Sequence, residues 1–277
     1  MSNKKERQKK FAIPQKSDER RVELVRGTYH LGELLKAPEG VKPRLFIDGS
    51  TLILNSETNM RLPPNKYLDK NRDITLYKYL RRDYASELLK SGILQIGTLS
   101  YYKNAETLGA IIGDVKEGSK SSRLTFYTSL SATGTPPDLA SSFFDTNTKG
   151  TIEGHGFLQA HQKSRDYFVY STTSHFDKNA MSAFGYDSCI KIHEPNIFFD
   201  IISHLLISEA IFEGIFDCTY ISRELPADIY NQYHPALIKD PKYIYQREVR
   251  AIWRPRSAPI QPKIIVCPEI CRYCSMQ

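Results

Sequence analysis

The sharpest interleaving of apolar and polar positions runs through Lys242-Tyr243-Ile244-Tyr245-Gln246-Arg247-Glu248-Val249-Arg250-Ala251-Ile252-Trp253. Its aromatic and β-branched residues predict one strand over 242–253. Period two then puts Tyr243, Tyr245, Arg247, Val249, Ala251 and Trp253 on one face and Ile244, Gln246, Glu248, Arg250 and Ile252 on the other. Gln246 and Glu248 share a face, roughly 7 Å apart by the strand rise, within reach of two atoms of one bound molecule. The bland alternative is a solvated edge strand whose Glu248 pairs with an Arg, and such surface pairs contribute little.

Upstream, Arg44–Ile47 and Thr51–Leu54 flank Asp48-Gly49-Ser50 and predict a hairpin. Pro63-Pro64 and the polar run to Asp73 read as a linker. A strand at Ile74–Leu80 is followed by a short helix from an Asp83 cap to a Gly92 stop, with Tyr84, Ala85, Leu88 and Leu89 at helical spacing. Further strands are predicted at Ile93–Leu99, Arg123–Ser129, His155–Ala160, Tyr167–Ser171, Ser188–His193 and Phe216–Ile221. Asn196–Ala210 reads as a helix capped by Asn196, with Ile197, Ile201 and Leu205 on its apolar face. Many strands and few helices predict an α+β fold.

At 277 residues, 40% hydrophobic and 25% charged, the chain has an ordinary globular composition. The net charge of +7 is unevenly placed: residues 1–26 hold nine Lys or Arg against four Asp or Glu, leaving +2 for the remainder. Residues 1–27 are therefore expected to be a basic disordered arm, 28–73 an N-terminal extension and linker, and 74–277 the main domain with a cysteine-containing tail. The arm could meet nucleic acid or act as a solubilising tail. No run approaches the roughly 18 apolar residues of a membrane helix and no apolar leader follows Met1, so the expectation is a cytoplasmic protein away from membranes. Five cysteines are an odd count that favours free thiols.

Three segments carry candidate chemistry in one order: Tyr77-Lys78-Tyr79, Tyr170-Ser171-Thr172-Thr173-Ser174 and Gln246-Arg247-Glu248. Together they resemble the mono-ADP-ribosyltransferases of bacterial toxin type. The stretch from Leu76 to Gly118 together with Tyr243 to Trp253 is also similar to bacterial proteins found near phage-defence and toxin–antitoxin genes. The resemblance implies a split, mixed β-sandwich with peripheral helices around a cleft for NAD. It implies that Lys78 supports the dinucleotide, that Ser171 and Thr172 shape the nicotinamide pocket, and that Glu248 is catalytic with Gln246 beside it. Lys78 stands where the family has Arg or His, and a lysine cannot fork two hydrogen bonds as arginine does. Activity would then transfer ADP-ribose from NAD to a macromolecular acceptor, protein, RNA or DNA, with an antitoxin or chaperone as a further expected partner.

The chemistry has its own logic. A carboxylate stabilises the cation-like ribosyl transition state formed as nicotinamide leaves, which suits Glu248. Gln246 can orient an acceptor but cannot deprotonate it, which favours a neutral nucleophile. Tyr79, Phe184 and Tyr186 are candidates to stack a ring, although strand tyrosines more often pack in cores. Asp114 and Glu117 read as a solvated loop or a partner surface. Cys267, Cys271 and Cys274 lack a fourth ligand and read as free thiols of a tail, and the seven histidines show no metal spacing, so no metal is expected. Two rivals remain: a nucleic-acid-binding module without chemistry, and an NAD glycohydrolase.

Overall fold

The computed structural model describes residues 19–24, 28–30, 42–58, 60–65, 74–103, 114–126, 129–131 and 151–277. It is a mixed α+β structure, mostly strands in antiparallel and mixed sheets with a few helices. The described residues fall into two compact units. The first draws on segments up to residue 56, on 121–162 and on 224–232; the second comprises 57–120, 163–223 and 233–277. This division interleaves the chain, unlike the sequential arm, extension and main domain expected from composition.

In the first unit, β1 (Glu19–Leu24) and β2 (Thr28–His30) both pair in parallel with β3 (Lys42–Glu57). Residues 19–24 of the expected disordered arm are thus a strand, because pairing to β3 satisfies their backbone groups. The remainder of the expected arm, 1–18 and 25–27, lies outside the described residues. The expected hairpin at 44–54 is one continuous strand. Gly49, at φ 64°, bends the backbone locally, and β1 and β2 pair on either side of the bend.

The second unit carries the candidate chemistry. Its sheet uses β4 (Leu76–Leu80), β5 (Ile93–Thr98), β9 (Phe168–Thr173), β10 (Ser188–Ile192), β11 (Ala210–Asp217), β15 (Glu248–Pro255), β16 (Lys263–Val266) and β17 (Cys274–Met276), with main order β11-β15-β9-β4-β10-β17. The strand pair β12 (Thr219–Tyr220) and β14 (Ile238–Lys239) stands apart. The first unit is completed by β6 (Ser119–Phe126), β7 (Ser129–Ser131), β8 (Thr151–Lys163) and β13 (Glu224–Leu225), in the order β1-β3-β8-β6-β13.

One edge of β9 is shared by two strands. β4 meets it at Tyr77↔Thr173, while β5 meets it at Gly97↔Val169 and Thr98↔Phe168. The sheet therefore splits over Tyr170–Thr172. Helix α1 (Arg82–Ser91) links the two diverging strands and ends at Gly92, φ 66°. A side chain at Gly92 would strike the Cys267 carbonyl as well as strain the backbone, so glycine is required there. Asp83 lies in the first turn of α1, not at its cap; Arg81 is the cap, without a side-chain capping bond, and Tyr84 is exposed.

The core on one side of β15 joins Val249, Ala251 and Trp253 to Phe168, Tyr170 and the helix Pro195–Leu205. That helix follows α2 (Leu99–Tyr102) and α3 (Lys178–Ala183) and is α4. It starts with Pro195 and buries Phe198, Phe199 and Ile202, whereas Ile197 and Leu205 of the predicted face are exposed. Two aromatics outcompete the isoleucine stripe for the core because each buries more area. Ile252 and Val169 belong to a second cluster, so β15 is covered on both faces. The C-terminal cysteines are not in a loose tail: Cys267 and Cys274 pack on the core, and β17 pairs with β10. Among the described residues no helix is long and apolar enough to cross a membrane.

Candidate functional site

The predicted strand 242–253 is two elements. Pro241–Gln246 is a 3-10 helix, begun by the Asp240 side chain accepting from Lys242 N and by Pro241 at its first position. Asp-Pro is a helix-starting pair, and it overrides the aromatic β-propensity that follows. Arg247 then takes a left-handed conformation, φ 42° and ψ 46°, before β15 starts at Glu248. Within β15 the alternation holds: Glu248 and Arg250 face one side, and Ser171 sits directly opposite Arg250 across the β15–β9 ladder.

Glu248 lies at the centre of a buried network. Its Oε1 accepts from Ser171 Oγ at 2.9 Å and Arg250 Nε at 2.6 Å, and its Oε2 accepts from Lys239 Nζ at 2.5 Å. Its backbone N–H donates to the Tyr220 hydroxyl at 2.6 Å. Lys239 also donates to Gln246 Oε1 at 2.8 Å. Arg250 donates to both oxygens of Glu117 at 2.9 and 3.0 Å and to the Ala236 carbonyl. Glu117 is itself only 1% exposed, which corrects the solvated-loop expectation. Its neighbour Asp114 pairs with Arg223.

Burial alone would raise the Glu248 carboxyl, but Arg250 and Lys239 hold it well below the usual carboxylate range. Burial works against the charge on Lys239 too, yet the Glu248 carboxylate keeps its ammonium above the ordinary value. Lys78 differs. Desolvation lowers it to about 8, partly offset by Glu248. Its Nζ donates to the Ser171 carbonyl at 2.7 Å, in the gap where β4 and β5 part, and lies 4.7 Å from the Tyr170 ring centre. The ionisable acids and bases here are balanced, Lys78, Lys239 and Arg250 against Glu87, Glu117 and Glu248.

These groups line a cavity of about 530 Å³ in the split of the sheet, within the roughly 300–1,000 Å³ range of ligand sites. All seven residues expected at the site border it: Lys78, Tyr79, Ser171, Thr172, Tyr186, Gln246 and Glu248. Their roles separate. Thr172 pairs with Val249 on the other face of the ladder, and its hydroxyl donates to the Val249 carbonyl. The Tyr79 hydroxyl is committed to the His175 carbonyl and the Asp177 N–H, so this residue is chiefly structural. Tyr186 and Phe184 stack toward one another at 6.1 Å along the cavity wall. Burial raises the Tyr186 hydroxyl.

Lys239, Arg250, Glu117, Tyr220 and Tyr102 were missed as site residues. Alternation did put Arg250 on the Glu248 face, which was the available signal. Lys239 and Glu117 come from a two-residue strand and a turn, and neither announces its partner locally. Among the described residues no group of His, Cys, Asp and Glu side chains is arranged to hold a metal ion. Compared with protein families, curated proteins and solved structures, the chain matches none.

Proposed function

We propose that the second unit is a mono-ADP-ribosyltransferase that takes NAD into the split-sheet cleft and uses Glu248 as its catalytic carboxylate. One observation carries the reading: three segments far apart in sequence converge in a continuous chain, Lys78 Nζ to the Ser171 carbonyl and Ser171 Oγ to Glu248 Oε1, inside a cavity of ligand size. A carboxylate accepts about four hydrogen bonds. Ser171, Arg250 and Lys239 occupy three, which leaves one site on Glu248 for a ribose hydroxyl.

Glu248 stays ionised throughout the working pH range, so it acts by charge and by accepting that hydroxyl, not as a proton donor. The bond between the nicotinamide nitrogen and the ribose carbon breaks with its electron pair going to nicotinamide. The acceptor then bonds to that carbon and loses its proton. Lys78, the cation of the cluster whose donors are least committed, would meet the phosphates.

A second reading, NAD glycohydrolase, is favoured by the Gln246 carboxamide oxygen. It is engaged by Lys239 and so supports the carboxylate's partner instead of an acceptor. Wild type and Glu248→Gln would be incubated with labelled NAD and separate pools of protein, RNA and DNA, following label and nicotinamide. Label entering one pool with wild type alone supports transfer and names the acceptor class. Nicotinamide release without labelling supports hydrolysis, and no turnover refutes both in favour of a non-catalytic binding module.

A further inference from the structure

Tyr102 ends α2, a helix of one turn that starts where Thr98 caps it by accepting from Tyr101 N at 3.0 Å. The Tyr102 backbone is pinned, since its carbonyl accepts from Asp114 N at 2.9 Å. Its ring packs against the cluster of Leu99, Val169 and Ile252. The hydroxyl end is placed by an absence of side chain: a Cβ on Gly97 would lie 2.8 Å from Cε2, 2.8 Å from Cζ and 2.9 Å from the hydroxyl oxygen. Gly97 is thus the seat on which the phenol tip rests, and both residues line the cavity with Glu248 and Lys78.

Several polar groups lining the same cavity are already committed. Thr173 donates to the His175 carbonyl, Tyr79 and Thr172 are bonded as described, and Gln246 holds Lys239. The Tyr102 hydroxyl has no hydrogen-bond partner among the described residues, although an inward-facing phenol normally finds one. Burial, reinforced by the Glu248 charge, raises this hydroxyl well above its ordinary value. It therefore stays protonated and serves as a donor.

We infer that Tyr102, seated by Gly97, donates a hydrogen bond to an oxygen of the bound substrate at the Glu248 end of the cleft. The two residues are complementary. Glu248 has one acceptor site left and Tyr102 one donor, a pair that suits neighbouring oxygens such as a ribose diol, one donating and one accepting. The inference rests on the proposed NAD chemistry and deepens it by naming how the sugar is held.

The test measures NAD binding by calorimetry, NAD turnover and thermal midpoint for wild type, Tyr102→Phe and Gly97→Ala. Phenylalanine keeps the ring packing, so its midpoint should stay near that of wild type. The dissociation constant and KM for NAD should rise about three- to tenfold, the range for one neutral hydrogen bond, with kcat little changed. Gly97→Ala, which displaces the phenol tip, should raise KM at least as much. Tyr102→Phe that binds and turns over NAD like wild type overturns the inference and leaves the proposed function standing. A wild type that binds no NAD overturns both.

Discussion

Replacing Glu117 by Gln tests whether the buried network holds this unit together. Glu117 and Arg250 are 1% and 2% exposed and share two hydrogen bonds, so the substitution removes the charge facing a fully desolvated guanidinium. Breaking a buried pair by deleting one partner costs about 3–5 kcal/mol. Arg250 keeps Glu248 and the Ala236 carbonyl, and Gln retains one acceptor, which puts the expectation at the low end, about 3 kcal/mol. With a urea slope of about 2–3 kcal/mol/M, the midpoint should fall by about 1–1.5 M. Trp253, the one tryptophan in the chain, is fully buried in the core of the same unit and supplies the fluorescence signal. A solvated loop would change stability by no more than about 0.5 kcal/mol. A measured loss under about 1 kcal/mol would refute the network as described.

Other expectations follow from the same geometry. Lys78 has its pKa lowered to about 8 in the fold, so affinity for an anionic ligand should be full below that pH and decline above it; Lys78→Arg should abolish the decline in a binding titration. By linkage, the buried ammonium opposes folding below pH 8, and this penalty is relieved as pH rises toward the ordinary lysine value of 10.5, so Lys78→Met should flatten stability measured across that window. Glu248 gives the same sign of pH dependence in an acid window: its depressed pKa contributes stability above the ordinary carboxylate value, lost as pH falls through the folded value. Lys239→Gln should move acid unfolding to higher pH, followed by circular dichroism. Gly92→Ala should cost more than about 2 kcal/mol in urea denaturation, because it combines a left-handed backbone with a clash against the Cys267 carbonyl. Cys218, buried and pushed up to about 12, should resist thiol reagents in the native state and react only on unfolding.

Local pattern was a sound guide wherever a residue's environment depends on its neighbours in the chain. Strands β4, β5, β9 and β10 follow from alternation, and the Gly92 stop follows from glycine's access to positive φ. Alternation inside β15 sorted Glu248 and Arg250 from Val249, Ala251 and Trp253. It failed one turn earlier, where Asp240-Pro241 starts a 3-10 helix through residues rich in β-propensity. It failed again in α4, where Phe198 and Phe199 took the core that the isoleucines were expected to fill. The site itself was half legible. Lys78, Ser171, Gln246 and Glu248 could be named from order and residue type, and they line one cavity. Only tertiary structure decided that Lys239 and Glu117 complete it: Glu117 meets Arg250 across more than a hundred positions, and Lys239, though near Glu248 in the chain, reaches it from a separate short strand. Burial converts those charges from surface ornaments into obligatory partners, and burial is a property of how the sheet splits and packs, not of any segment read by itself.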